Sequence, residues 1–507
     1  MFAWLKAWLG RGAAPQSRGE PLRGMRLPIH ARYDAATTTE DNRRHWANAD
    51  GLSPNTANAS EIRRILRNRA RYETANNSYA KGIVLTLAND CVGTGPRLQM
   101  LIADADANRK VEAAFEAWSA AVGLPEKLRT IRMAKAVDGE AFAILTSNPR
   151  LNSPVKLDLR LIEADQVTSP GLFMPTTQGV DGIVFDPSGD PITYHVLRQH
   201  PGSAGPLWDN DFDRIPAASV LHYFRADRPG QARGIPEITP ALPLFAQLRR
   251  YTLAVIAAAE AAADVALVIY TDSPPNGETD SLEPMDLIEL EKRMATVMPG
   301  GWKLGQTHAE QPSTTYAEFK REILNEIARC LNIPYNVAAA NSSGYNYASG
   351  RLDHQTYFKS IRVEQSAIES VVLDRVFSAW IDEASLVDEF LPAPLRRLGA
   401  SIDHQWFWDG QEHVDPAKEA NAQETRLKNN TTTLAEEYAK RGRDWEAEIR
   451  QRAKEVALMK SLGLSVEVPA GTVPAPVPVP GDEPDSSNAE SPLWRGSGRG
   501  LVPVIGR

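Results

Sequence analysis

Two imidazoles and four carboxylates crowd one short stretch of this chain, Asp403-His404-Gln-Trp406-Phe-Trp408-Asp409-Gly-Gln-Glu412-His413-Val-Asp415. Histidine nitrogens and carboxylate oxygens are the usual ligands of divalent metal ions, so this is the best metal-site candidate. The spacing matches no defined metal motif, however, and Asp415 followed by Pro416 is a favourable helix start. The bland reading is an aromatic-anchored turn leading into a capped helix, with the charges solvated. Asp138-Gly139-Glu140 offers paired carboxylates, but two acids alone do not define glycosidase chemistry. A tight turn before a strand accounts for them.

Other routes to catalysis lack their motifs. The sequence has no G-x-x-x-x-G-K-[ST], no G-x-G-x-x-G, no G-x-S-x-G and no H-E-x-x-H, so neither a phosphate cradle, a nucleophile elbow nor a zinc-protease helix is indicated. No cofactor is implied. Cys91 and Cys330 are the only cysteines; they make neither a zinc site nor a disulfide framework and fit a reducing cytoplasm. Arg63, Arg64, Arg67 and Arg71, with Tyr72 and Tyr79 nearby, could meet phosphates and bases, although a solvated helix face with aromatic core residues is the simpler expectation. A net charge of −8 argues against a broad DNA-gripping surface, so any DNA contact is local or loose.

The elements that would carry these residues fall into several structural units, since 507 residues exceed what one core usually organises. The most apolar window, Thr252 to Tyr270, contains Glu260 and Asp264, each costing roughly 2.5 to 3.5 kcal/mol in a bilayer, so no membrane span is expected. Residues 1 to about 55 read as an arm with little core, and structure is expected from near Ser60, which could cap a helix. On that helix Ile62, Ile65 and Leu66 would face the core, opposite the arginines. Helical spacing also covers Tyr79 to Leu87, Val111 to Val122 and Leu128 to Ala136, followed by a strand over Ala141 to Leu145. From Leu157 to Phe224 the pattern becomes short strands broken by turns, a β-rich subdomain.

Thr239, Pro240 and Pro243 open a long Ala-rich helix to about Val265. Its apolar residues exceed what neighbouring chain can cover, which suggests packing against copies of itself. Residues 267–316 look like an insertion with eight acids against three bases, a local charge of −5. Helical spacing returns with Phe319, Ile323, Ile327 and Leu331 and stops at Pro334. Asn341 to Gly350 is a loop by its Gly, Ser and Tyr content. A long helix covers Leu352 to Ala384, shorter ones follow Pro416, and the Pro-rich end from 464 should be disordered.

Five segments, in order, resemble the portal proteins of lambda-like tailed phages: Arg71-Tyr72-x6-Tyr79-Ala80 with Asn89-Asp90-x-Val92-Gly93; Leu221-His222-Tyr-Phe224-Arg225 through Gly230-Gln231-Ala-Arg233-Gly234-Ile-Pro; Ile327-Ala328-x-x-Leu331-Asn-Ile333-Pro334-Tyr335; Tyr345-Asn-Tyr347-Ala-Ser349-x-Arg351; and Ala439-Lys440-Arg441-Gly442-x-Asp444-Trp445. The resemblance implies an α+β portal fold, mainly helical, and a dodecameric ring at a capsid vertex, assembled in the host cytoplasm, through which DNA is packaged and ejected. Its parts would be an arm (1–59), a β-rich wing (60–236), stem helices (237–266 and 317–340), a clip (267–316), a tunnel loop with wing helix (341–400), a crown (401–463) and the tail (464–507). Asn341, Ser342, Ser343, Tyr345, Asn346, Tyr347 and Arg351 would face the DNA channel. Asp272, Glu278, Asp280, Glu283, Asp286 and Glu289 would face terminase and later the head-tail connector. Implied partners are further copies of the chain, the terminase large subunit, the major capsid and scaffold proteins and double-stranded DNA. The competing classes are a phage nuclease or protease, needing a convergent catalytic cluster, and a DNA-binding adaptor, needing a basic face.

Overall fold

The computed structural model describes residues 39–169, 179–203, 211–264, 268–271, 302–305, 315–392, 395, 402–410 and 416–464. The chain divides into two compact units, Met1–Asp409 and Gly410–Arg507. Both helix and antiparallel sheet are present, helix predominating, which is the α+β class.

Structure begins before Ser60. A short helix, α1 (Pro54–Ala57), is capped by Ser53, and its flanks are tied down: Asn58 Nδ2 donates to the Arg233 carbonyl at 2.9 Å. The next helix, α2 (Ser60–Asn76), starts from Ala59 without a side-chain cap, so Ser60 lies inside the helix. Its expected orientation holds only for Leu66, which packs against a small core cluster, and for the exposed Arg64. Arg63 and Arg67 are buried, whereas Ile62 and Ile65 are 41% and 46% exposed. The reason is the lining opposite: Asp181, Asp165 and Asp138 supply carboxylates to Arg63, Arg67 and Arg71, and buried charge is tolerated only when so paired. Tyr72 is exposed rather than part of a core.

Asn77 caps α3 (Ser78–Val92) by accepting from the Tyr79 and Ala80 amides. Strand β1 (Arg97–Met100) and helices α4 (Ala105–Val122) and α5 (Leu124–Asp138) follow, joined by left-handed Gly123. Then β2 (Glu140–Ser147) pairs antiparallel with β3 (Leu157–Ile162) on one side. A second sheet contains β4 (Gly179–Val180), β5 (Ile183–Phe185), β6 (Pro191–Leu197) and β7 (Phe212–Pro216) in chain order. Asp186 shapes its tight turn by accepting from the amides of Ser188 and Asp190, both at 2.8 Å, an aspartate-based turn. Strand β8 (Val220–Phe224) returns to the other edge of β2. These strands are the β-rich stretch expected from the sequence.

The long helix α6 (Leu242–Asp264) leaves Leu253 and Ile256 largely exposed. Beyond it β9 (Val268–Thr271) and β10 (Trp302–Gly305) form an antiparallel ribbon in register Trp302 with Thr271. Helix α7 (Tyr316–Cys330) packs on α6 through Tyr251, whose ring lies 5.0 Å from that of Phe319. A four-residue helix, α8 (Tyr335–Ala338), precedes α9 (Tyr347–Ile368), which passes through a π turn over Glu369–Leu373 into α10 (Asp374–Ser385). This is the single long helix read from the sequence, with one extra residue accommodated in a turn.

The main core gathers around Phe115, Trp118, Phe377 and Trp380, with Phe115 and Trp380 edge to face at 5.3 Å, a favoured aromatic geometry. Trp406 joins it from β11 (His404–Phe407), which pairs with β1. The stretch read as a turn is therefore a strand of the first unit. In the second unit, α11 (Pro416–Lys428), α12 (Leu434–Ala439) and α13 (Trp445–Ser461) follow the expected order. Thr433 and Glu436 form a capping box, and Asp444 caps α13. Asp415 and the Pro-rich stretch lie outside the described residues.

Candidate functional site

Between α8 and α9 the chain makes an exposed loop held largely by its own backbone. Asn341 is secured by its amide donating to the Asn336 carbonyl at 3.0 Å, and its Oδ1 accepts from the Ser343 amide at 2.9 Å. The Tyr345 amide reaches the Ser342 carbonyl at 3.2 Å. Asn341, Ser342, Ser343, Gly344 and Asn346 are exposed, and Tyr345 is half-buried. Burial, with Asp353 nearby, raises the Tyr345 phenol above its ordinary range. The loop ends earlier than composition suggested: Asn346 Oδ1 accepts from the Ser349 amide at 2.8 Å, so Tyr347 opens α9 and Gly350 is helical. An Asn cap at the sixth position of the run Asn341–Gly350 is readable from sequence, but the Gly, Ser and Tyr around it mask it.

The base of this loop is fixed. Asn336 Nδ2 and His354 Nε2, on either side of it, are 2.9 Å apart. Ala340 sits at φ 49°, a left-handed conformation uncommon for a residue with a Cβ. Arg351 is exposed on the first turns of α9. The structure thus brings Asn341, Ser342, Ser343, Tyr345, Asn346, Tyr347 and Arg351 to one short segment. It also adds a neighbour the sequence reading missed, Arg321 on α7, whose guanidinium lies 5.4 Å from the centroid of Tyr335.

The β-rich part is organised on buried ion pairs. Arg233 Nη2 donates to Glu140 Oε1 at 2.7 Å, with both side chains wholly buried. His222 stacks between Phe142 and Phe224 and meets Glu140 Oε2 through Nε2 at 3.1 Å. Burial pushes the Glu140 carboxyl up, but Arg233 and His222 outweigh it and hold it well below the carboxylate range. Burial lowers the His222 imidazole despite Glu140. Asp138 is bonded to Arg71 Nε at 2.7 Å. Asp138-Gly139-Glu140 is thus a turn before a strand, as expected, but its two acids are structural ion-pair members rather than an acid–base pair. Gly139 needs its left-handed φ of 87°, and a Cβ on Gly234 would run into the Gly139 carbonyl. The Arg233-Gly234 motif is thereby explained by packing.

A second buried cluster joins α5, β8 and α9. Arg132 Nη1 meets Glu237 Oε2 at 2.8 Å, while Lys135 and the Tyr223 hydroxyl both converge on Glu364. Three of the arginines of α2 are likewise spent on carboxylates, which removes Arg63, Arg67 and Arg71 as candidates for a phosphate face, while Arg64 stays exposed.

The metal candidate separates into structural contacts. His404 Nδ1 lies 2.7 Å from the Ile402 carbonyl and its Nε2 3.2 Å from Asp374, while Asp409 accepts from Thr94 Oγ1 at 2.7 Å. Glu412, His413 and Asp415 are outside the described residues. The described cluster of ligand type is Glu163, Asp165 and His200, but Arg71 Nη2 already lies 2.7 Å from Asp165 Oδ2, so a guanidinium occupies the place of a cation. The acidic residues Asp272, Glu278, Asp280, Glu283, Asp286 and Glu289 also lie outside the described residues, between the two strands of the β9–β10 ribbon in sequence.

Among the described residues, the buried ion pairs serve packing and the exposed loop is polar and held by its own backbone. Residues 40–365 match the family described as phage portal protein, lambda family, and the chain belongs to that family: it is a portal protein of a tailed phage, not an enzyme. The chain is similar to the probable portal protein of Halomonas phage phiHAP-1, 26% identical over 460 residues that cover 85% of this chain and 87% of the relative. It is also similar to portal protein B of Escherichia phage lambda, at 21% identity over 442 residues, covering 77% and 83% of the two chains. Among solved structures, the neck of an empty gene transfer agent particle computed with C6 symmetry aligns with TM-score 0.47 and 14% identity over 71% of this chain and 87% of that one. An HK97 family phage portal protein from Corynebacterium diphtheriae aligns with TM-score 0.31 and 14% identity, covering 60% and 89%.

Proposed function

We propose that twelve copies of this chain form a ring at one vertex of the capsid, assembled in the host cytoplasm, and that double-stranded DNA enters and leaves through its centre. The observation that carries this reading to particular residues is the exposed loop Asn341–Asn346, clamped at its base by Asn336 and His354. Its side chains carry no formal charge, so its contact with a sliding duplex is steric and polar. That suits passage in both directions, because many phosphate contacts would make binding tight and steeply salt-dependent. Tyr347 and Arg351 continue the contact onto α9.

In this reading residues 60–236 are the wing, 237–266 and 317–340 the stem helices, 267–316 the clip, 341–400 the loop and wing helix, and 401–463 the crown. The exposed Leu253 and Ile256 on α6 support burial of the stem between neighbouring copies. The clip acids Asp272, Glu278, Asp280, Glu283, Asp286 and Glu289 dock a basic surface of the terminase large subunit, and later the connector. Major capsid and scaffold proteins surround the ring. The test combines microscopy of the purified protein with a photoreactive group attached at Ser343→Cys in packaged particles. Rings and a DNA cross-link are expected; a monomer at micromolar concentration, or rings whose residue 343 never labels packaged DNA, would contradict the reading.

A further inference from the structure

Although the loop is uncharged, a cation stands at its tip. Arg321 is exposed on α7, and its Nη1 is 3.7 Å from where a Cβ on Gly344 would lie, so the guanidinium rests against the loop's turn. One side of its surroundings is the ring of Tyr335, 5.4 Å from centroid to guanidinium carbon. Among the described residues no carboxylate is within ion-pair distance of it, although Glu318 and Glu322 are close in sequence. This sets it apart from the buried arginines, each committed to acids. It also differs from the adjacent Lys320, which is half-buried with its ammonium 5.1 Å from the Tyr79 ring and 5.7 Å from that of Tyr316.

An arginine placed over an aromatic ring is positioned without spending its in-plane N–H donors, and those donors match the geometry of a phosphate. We propose that Arg321 binds phosphate of duplex DNA at the loop, one guanidinium per subunit, with Tyr335 as its platform. The proposal rests on the reading of Asn341–Asn346 as the DNA-facing loop. It changes that reading in one respect: the contact surface is an uncharged collar backed by a ring of single, separated cations. Such a ring engages the backbone through whichever subunits it faces and releases it as the duplex advances. The loop itself then supplies no salt dependence, which comes from Arg321 on α7 together with Arg351 on α9.

The test uses assembled rings of the full chain and a short fluorescent duplex. Binding is followed by anisotropy between about 50 and 200 mM salt, a range over which phosphate contacts are strongly weakened. In Arg321→Gln the slope of log affinity against log salt should shrink in magnitude by at least about 0.9, the contribution of one phosphate contact. Arg321→Lys, which keeps the charge, should retain most of it. A photoreactive group at Ser343→Cys is cross-linked in the same complexes. DNA labelled from residue 343 with an unchanged slope in Arg321→Gln would overturn the Arg321 proposal and leave the loop reading standing. No labelling in otherwise wild-type rings would overturn both. Equal loss in the Gln and Lys variants would show a packing role and refute the phosphate contact. Where Arg321→Gln disturbs assembly, Arg321→Met replaces it, keeping an apolar stem over Tyr335; failure of both to form rings would make Arg321 structural and end the proposal.

Discussion

The hydroxyl of Tyr357 donates to Asp90 Oδ2 at 2.7 Å, joining the helix that follows the loop to the end of α3. Tyr357 is buried to 1% exposure, and its phenol is raised above the ordinary range by burial and by Asp90. Gln365 reinforces the junction by donating to the Cys91 carbonyl at 3.0 Å. Asp90 remains exposed, so water can replace the lost donor in Tyr357→Phe. The expected cost is about 1 kcal/mol, that of one hydrogen bond rather than a stranded buried charge. Urea denaturation of the full chain measures it, and a loss several times larger would mean that Asp90 cannot rehydrate.

Removing one member of the wholly buried Arg233–Glu140 pair is a different case. Arg233→Met leaves the Glu140 carboxylate without its chief counter-charge, with the Gly234 amide and His222, itself buried and lowered in pKa, as its remaining partners. Breaking such a pair costs about 3 to 5 kcal/mol. Ring assembly should fail, and the soluble fraction of the expressed protein should fall. Arg233→Met with Glu140→Gln should recover part of the loss, since the stranded charge is then gone; a double variant no better than the single would assign the cost to Arg233 packing alone.

These two pairs mark what could be read in the sequence. The order of elements was legible because periodicity, Pro and Gly punctuate it: Gly139 before β2, Pro243 at the start of α6, Asp444 before α13. The face that α2 buries was not. Ile62 and Ile65 look like core residues by hydropathy, but Asp138, Asp165 and Asp181 come from distant parts of the chain. Long-range charge pairing decided the orientation, and a single sequence shows no pairing. His404 to Phe407 was likewise misread as a turn because its partner strand lies at Arg97–Met100. The loop residues were found by composition and by the family motif, whereas Arg321 was missed because its platform, Tyr335, reaches it only in the fold.

In the second unit, Glu437 accepts from Lys440 Nζ at 2.7 Å and from Arg426 Nε at 3.1 Å. Burial raises its carboxyl, but those two cations outweigh that effect and lower it to about 2. An ordinary Glu titrates at about 4.3. The pairing therefore stabilises the fold fully above that ordinary value, and its contribution is lost as pH falls from there toward 2. Hydrogen exchange at Leu434–Ala439, compared in wild type and Glu437→Gln at matched pH, should show stronger protection in wild type at pH 7 and a closing gap below about pH 4. A gap independent of pH would attribute the difference to packing.

The clip acids give a prediction in the opposite charge regime. Replacing Asp272, Glu278, Asp280, Glu283, Asp286 and Glu289 by their amides removes six negative charges from a segment with a local charge of −5. Terminase binding to intact rings should weaken and lose most of its salt sensitivity. Unchanged affinity and unchanged salt response in the amide variant would remove these acids from the docking surface.

The loop itself separates assembly from passage. Tyr345 is half-buried, its phenol meeting the Asn336 backbone with Asp353, Arg321 and Tyr335 nearby, and Gly350 leaves room beside its ring, a Cβ there lying 3.7 Å from Tyr345 Cδ1. The backbone bonds that shape the turn, from Asn341, Tyr345 and Ser349, come from amides and the Asn side chains and do not involve the phenol. Tyr345→Ala with Tyr347→Ala should therefore leave the turn and the Asn346 cap in place, with a stability change within about 1 kcal/mol. What it removes is bulk and polar surface from a collar of low charge. Rings counted by microscopy should be as numerous as in wild type, while nuclease-protected genomes in the same preparation fall. Because phosphate neutralisation does not depend on the tyrosines, the salt dependence of duplex binding should keep its wild-type slope. Loss of rings would make the tyrosines structural; full packaging and retention with intact rings would take the loop out of the mechanism and leave DNA control to other residues of the ring.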